Sequence, residues 1–126
     1  MTRYQFSVTI GASAVNLATA AFAGTPGFAY PNGWLNTFTD GHYLPAARLE
    51  AYVDVGSTGT SYIGPSTVAT NGANKAYTLP PPTTTGQYGG QEVVFSYTDS
   101  NVVNLHQLWV NGGVPGDVVQ VVYWQV

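Results

Sequence analysis

The chain has 126 residues, no cysteine and nine charged side chains, 7 % of the total, for a net charge of −3. One domain of this length buries a sufficient core without staples, and the lack of Cys removes disulfides, thiolate metal sites and cysteine nucleophiles together. Three basic residues argue against nucleic acid, whose binding rests on phosphate neutralisation, and against anionic membrane, while no run approaches the ~20 apolar residues of a membrane span.

Arg3 and the Ala-rich stretch ending in Ala21-Phe22-Ala23-Gly24 outline a secretory signal. Gln5, Ser7, Thr9, Ser13, Asn16 and Thr19 interrupt its apolar core, so no cleaved signal peptide is expected. Instead Tyr4, Phe6, Val8 and Ile10 alternate with polar residues as a half-buried strand does. Gly11 ends that run, and Ala14 to Thr19 reads as a short second strand. Residues 20 to 45 form an irregular arm or loop of Ala, Gly, Pro and aromatic residues without period. Loops of that length in a compact domain are often functional. Over Leu44 to Val55, Pro45 and the alanines suit a helix. Ala47, Leu49, Ala51, Val53 and Val55, however, fall at period 2 opposite Arg48, Glu50, Tyr52 and Asp54, which favours a strand.

Further strands are expected at Thr60–Ile63, Ser66–Thr70 and Ala76–Leu79, with a turn at Asn71-Gly72-Ala73-Asn74. Pro80-Pro81-Pro82 donates no ladder hydrogen bonds and marks a stiff connector, although a proline run is also a ligand type for aromatic grooves. Thr83 to Gly90 is a polar loop. The last third alternates apolar and polar residues in three runs, Gln91–Thr98, Val102–Val110 and Val118–Val126, with turn chemistry at Asp99–Asn101 and Asn111–Asp117. This order predicts a C-terminal three-stranded antiparallel meander. No helix, heptad or fixed repeat is expected. The fold class is all-β: residues 1–126 as a single antiparallel β-sandwich, jelly-roll-like.

Tyr62-Ile63-Gly64-x-Ser66-x-Val68, then Leu79-Pro80-Pro81, then Asn104-Leu105-x-x-Leu108-Trp109-Val110-Asn111-Gly112, and finally Gly116-Asp117-Val118-Val119-x-Val121 follow one another over residues 46 to 126. This order of strand and turn residues resembles small β-sandwich structural proteins of tailed phages, including capsid decoration (cement) proteins. The resemblance transfers no individual functional residue. It implies a virion structural protein on the outer capsid surface, with the major capsid protein or other virion proteins as partners and a homo-oligomer, a trimer above others, as its state.

Candidate chemistry is sparse. His42 and His106 stand 64 residues apart by their numbering, too few for the three or four convergent ligands a divalent metal needs. Asp40-Gly41-His42 reads as a turn and His106 as a sheet histidine. Glu50 and Glu92 read as rim charges rather than as the carboxyl pair of a glycosidase. No nucleophile elbow, phosphate loop, dinucleotide fingerprint or calcium loop occurs. The expectation is therefore no enzyme, with no catalytic residue, metal or cofactor. The aromatic residues are the richer signal: nine Tyr, five Phe and three Trp. Phe6, Phe95, Trp109 and Tyr123 suit a core. Phe28, Tyr30, Trp34, Phe38 and Tyr43 in the arm read as a satellite core, a partner interface or a sugar platform, and as a partner interface they are the candidate site. A capsid decoration protein is the first functional expectation. The alternatives are a carbohydrate-binding module or lectin stacking sugars on Tyr30, Trp34 and Tyr43, and a minor head–tail or fibre-associated component.

Overall fold

A computed structural model describes residues 2–24, 45–82, 92–96 and 103–125. The strands are β1 (Thr2–Thr9), β2 (Val15–Asn16), β3 (Pro45–Val53), β4 (Ser61–Gly64), β5 (Tyr77–Leu79), β6 (Glu92–Ser96), β7 (Val103–Asn104), β8 (Trp109–Gly112) and β9 (Val118–Gln125), with one helix, α1 (Leu17–Gly24). They form two antiparallel sheets, β1-β9-β3-β6 with β7 joining β3, and β2-β8-β4-β5. The all-β sandwich expected from alternation and turn spacing is the architecture observed.

The pairing is nested. β1 pairs with β9, β2 with β8, β3 with β6 and β4 with β5, all antiparallel. The β9–β3 and β8–β4 ladders complete the two sheets. The C-terminal meander is thereby corrected, because β6, β8 and β9 do not pair with one another. β6 and β7 lie in the larger sheet, β8 in the smaller and β9 in the larger again, and each takes a partner from the first two-thirds of the chain.

β9 lies between β1 and β3 and supplies the centre of the core. Val119, Val121 and Tyr123 point inward and are fully buried, beside Phe6 and Val8 of β1 and Leu49, Ala51 and Val53 of β3. Tyr123 stacks on Tyr4 at 5.3 Å between ring centres and meets the edge of Phe6 at 5.9 Å. Such ring pairs contribute about 0.5–1.5 kcal/mol beyond their buried area. Ile63, Leu79 and Val110 close the core from the second sheet. Of the expected core aromatics, Phe6 and Tyr123 are buried and Trp109 is half-buried; the side chain of Phe95 is outside the described set.

Three local expectations change. Ala14–Thr19 is a strand only at Val15–Asn16, and helix α1 follows at Leu17. Asn16 explains the switch, for its Oδ1 accepts the N–H groups of Ala18 and Thr19 at 3.0 and 3.2 Å, an N-cap. Its Nδ2 donates to the His106 carbonyl at 2.8 Å, and Leu17, Ala18 and Ala21 enter the core. Ser66–Thr70 is not a strand. The segment from Pro65 to Ala76 folds over the outer face of β4 and β8, where Val68 is buried and Asn111 Nδ2 donates to its carbonyl at 3.1 Å. The turn expected at Asn71–Asn74 is present. Gly72 there has φ +88°, and a Cβ would lie 2.8 Å from the Tyr62 ring, so glycine is required on both counts. The run 102–110 is interrupted by a 3-10 turn at Leu105–Gln107, which places His106 on that turn rather than in a strand.

The start of β9 is fixed by Asp117. This buried carboxylate accepts the N–H groups of Thr58 and Gly59 at 3.1 and 2.7 Å. A Cβ on Gly59 would stand 2.6 Å from Val114 Cγ2 and 3.1 Å from Asp117 Oδ2, so only glycine lets the loop reach the carboxylate. Asp117→Ala removes two charge-assisted hydrogen bonds and strands two N–H groups, and should cost about 3–5 kcal/mol. A urea melt checks this through its midpoint. By contrast the Ser61 hydroxyl is fully buried with no hydrogen-bond partner among the described residues. Ser61→Ala should be neutral or stabilise by up to about 1 kcal/mol in the same assay.

Candidate functional site: the outer face and edge of the larger sheet

Phe28, Tyr30, Trp34, Phe38 and Tyr43, the ring cluster of the sequence reading, lie outside the described residues, as do Asp40 and His42. Glu92 opens β6 as expected. Glu50, expected as a rim charge, is largely buried and paired instead. Its side chain is 13 % exposed and accepts a hydrogen bond from Arg48 Nη2 at 2.7 Å. His106 is half-buried, with its backbone N–H donating to Asn104 Oδ1 at 3.0 Å. Among the described residues no three His, Cys, Asp or Glu side chains converge as metal ligands, and no helix is long and apolar enough to cross a membrane.

What the described residues do bring together is a face. On the outer side of the larger sheet, alternation places Arg3, Gln5, Ser7 and Thr9 from β1, Val118, Gln120, Val122 and Trp124 from β9, and Arg48, Glu50 and Tyr52 from β3. Register then makes rows. Trp124 is directly opposite Arg3 on one side and Arg48 on the other. The two guanidinium carbons stand 5.9 and 5.6 Å from the Trp124 ring, within the range of a cation–π contact. One row further along, Val122 lies between Gln5 and Glu50 and is only 4 % exposed. In the next, Ser7 Oγ donates to Gln120 Oε1 at 2.9 Å, and Gln120 Nε2 donates to Asp54 Oδ2 at 3.0 Å.

This face gathers two of the three basic residues of the chain around one tryptophan. Arg48 is neutralised by Glu50, whereas Arg3 is exposed and has no ion-pair partner among the described residues. Arg and Trp are the residue types that carry binding energy at protein interfaces. The Arg–Trp–Arg row escaped sequence reading because its members are distant in the chain. The available signal was their common placement on the polar faces of three period-2 strands.

The face ends in an edge. β1 is the outermost strand of its sheet, and β9 is its one strand partner among the described residues. Ile10 donates its N–H to the Asp117 carbonyl at 2.7 Å and accepts from the Gly116 N–H at 2.8 Å. Backbone groups alternate sides along a strand. Tyr4, Phe6 and Val8 therefore also aim their N–H and C=O at β9, while Arg3, Gln5, Ser7 and Thr9 aim theirs away from the sheet.

No protein-family model, curated protein or solved structure matches the chain. The resemblance to tailed-phage structural proteins therefore draws no support from these comparisons.

The rows carry an expected energetic signature. A double-mutant cycle of Arg3→Ala with Trp124→Leu should show a coupling of about 0.5–1 kcal/mol, the exposed cation–π range. Thermal or urea unfolding of the four proteins measures it, and a coupling within error of zero would remove the row as an organised unit.

Proposed function

We propose that this protein is a non-enzymatic structural component of a phage particle, acting as a decoration or cement protein on the capsid with the major capsid protein as its partner. The observation that carries the reading is the nested order of four strand pairs, β1–β9, β2–β8, β3–β6 and β4–β5. This nesting, with β7 as an added bridge, supports a jelly-roll reading, an architecture used by viral capsid domains. The near-uncharged surface supports the same reading, since weak self-repulsion suits dense symmetric packing.

Jelly rolls also house lectin domains, so carbohydrate binding is the second reading. Its one favouring observation among the described residues is a single exposed ring, Tyr77 of β5; Tyr62 of β4 stands opposite Thr78 rather than Tyr77 and so faces the other side of the sheet. An architecture alone does not decide between the two, because function resides in sites grafted on folds.

Density-gradient sedimentation of native material, with quantitative peptide mapping of each fraction, tests the proposal. Decoration predicts co-sedimentation with particles at a ratio near that of the major shell subunit. A few copies per particle would indicate a head–tail or fibre component instead. Recovery only as free protein at the top of the gradient would defeat the virion reading and make a glycan-binding screen the decisive measurement.

A further inference from the structure

We infer that β1 is an association edge, and that its occupant is β1 of a second copy of this chain, paired antiparallel across a two-fold axis. This contact is independent of any role on a capsid and would exist in the isolated protein. It also differs in operator from the three-fold assembly implied by the phage resemblance.

The first support is a contrast among the edges of the fold. Natural sheets blunt their edges with short strands, prolines, bulges or charges. β2 has two residues and β7 two, β5 has three and runs into Pro80, and β6 has five with a register shift opposite Leu49 and Glu50. β1 carries none of these devices except one charge near its start. It has eight residues in unbroken register with β9 and no proline. Helix α1 sends Leu17, Ala18 and Ala21 into the same core cluster as Phe6.

The second support is that β1 is compatible with itself. Its N–H and C=O groups that take no strand partner among the described residues belong to Arg3, Gln5, Ser7 and Thr9, so a pairing that satisfies them must match odd residues with odd. That parity also joins the core faces of the two copies and their outer faces. The register with greatest overlap places Arg3 opposite Thr9 of the second copy and Gln5 opposite its Ser7. The two Arg3 side chains then sit at opposite ends of the ribbon, roughly 20 Å apart at 3.4 Å per residue. No like charges face each other, which is the cross-strand arrangement that destabilises. The product is one continuous sheet running from β6 through both β1 strands to the second β6.

Sedimentation velocity across a concentration series tests this on the intact chain. The wild type should shift from the 13.3 kDa monomer to a species of twice that mass. Ser7→Pro deletes an outward N–H without touching the β9 ladder and should remain monomeric. Should that variant fail to fold, Ser7→Lys decides: in the stated register its cation lies diagonal to Arg3 of the second copy, at both ends of the symmetric pair. It should weaken association about tenfold, whereas Thr9→Glu, directly opposite Arg3 of the second copy, should strengthen it. Because the chain has no cysteine, a mixture of Gln5→Cys and Ser7→Cys chains should oxidise to a covalent dimer faster than either alone. A wild type that stays monomeric throughout, or an association unmoved in folded Ser7→Lys, would overturn the inference.

Discussion

Asp117 is the point on which the molecule turns. A carboxylate buried at the start of β9 needs donors, and it finds them in the backbone of Thr58 and Gly59, in the connection between β3 and β4. Ser57 adds its hydroxyl as acceptor for the Val118 N–H at 2.9 Å, and Asp54 donates its N–H to the Val118 carbonyl at 2.7 Å. The end of β1 joins at the same corner through Ile10. One charged group therefore sets where the central strand begins relative to both of its neighbours. Because side chains alternate at period 2, a slip of one residue would turn Val119, Val121 and Tyr123 out of the core. A residue that looks like ordinary turn chemistry thus determines which half of β9 is buried.

A chain with so few charges must satisfy its surface by other means. The outer face of the larger sheet does so in rows across the strands, with Ser7, Gln120 and Asp54 in one and Arg3, Trp124 and Arg48 in another. At the other end of β1, Asn16 has a double role. It caps α1 through one side-chain atom and holds the 3-10 turn at His106 through the other. Polar side chains here serve as joints between segments distant in sequence, each worth about 1 kcal/mol but numerous.

The strands with clean alternation were legible in the sequence. Tyr4 to Ile10 and Ala47 to Val53 kept their period because one side of each faces the core, and β9 kept Val119, Val121 and Tyr123 on the core side although Val122 on its other side is buried too. β2 and α1 were misjudged because Ala14 to Thr19 is short and Ala-rich, and such a run has no decisive period; Asn16 ahead of the alanines was the missed capping signal. The meander failed for a different reason. Neighbours in sequence are usually neighbours in space, and a nested pairing violates that rule while leaving each strand's own pattern unchanged. The Arg–Trp–Arg row shares this cause, since cross-strand register is what brings positions 3, 48 and 124 together. The ring cluster of the arm was read from composition alone and has no counterpart among the described residues.

Nested pairing has a further consequence, in time rather than space. Ser7 and Gln120, hydrogen-bonded neighbours in adjacent strands, are 113 residues apart. At about 5–20 residues per second the ribosome needs roughly 6–23 s to make that stretch. Through this interval β1 is synthesised and has no β9 to pair with. Its alternating apolar side must be sheltered by transient contacts or by a chaperone. Contacts so distant along the chain also make for slow folding once synthesis ends. β9 closes the structure, so a ribosome that stalls before Asp117 releases a product lacking the core's central strand.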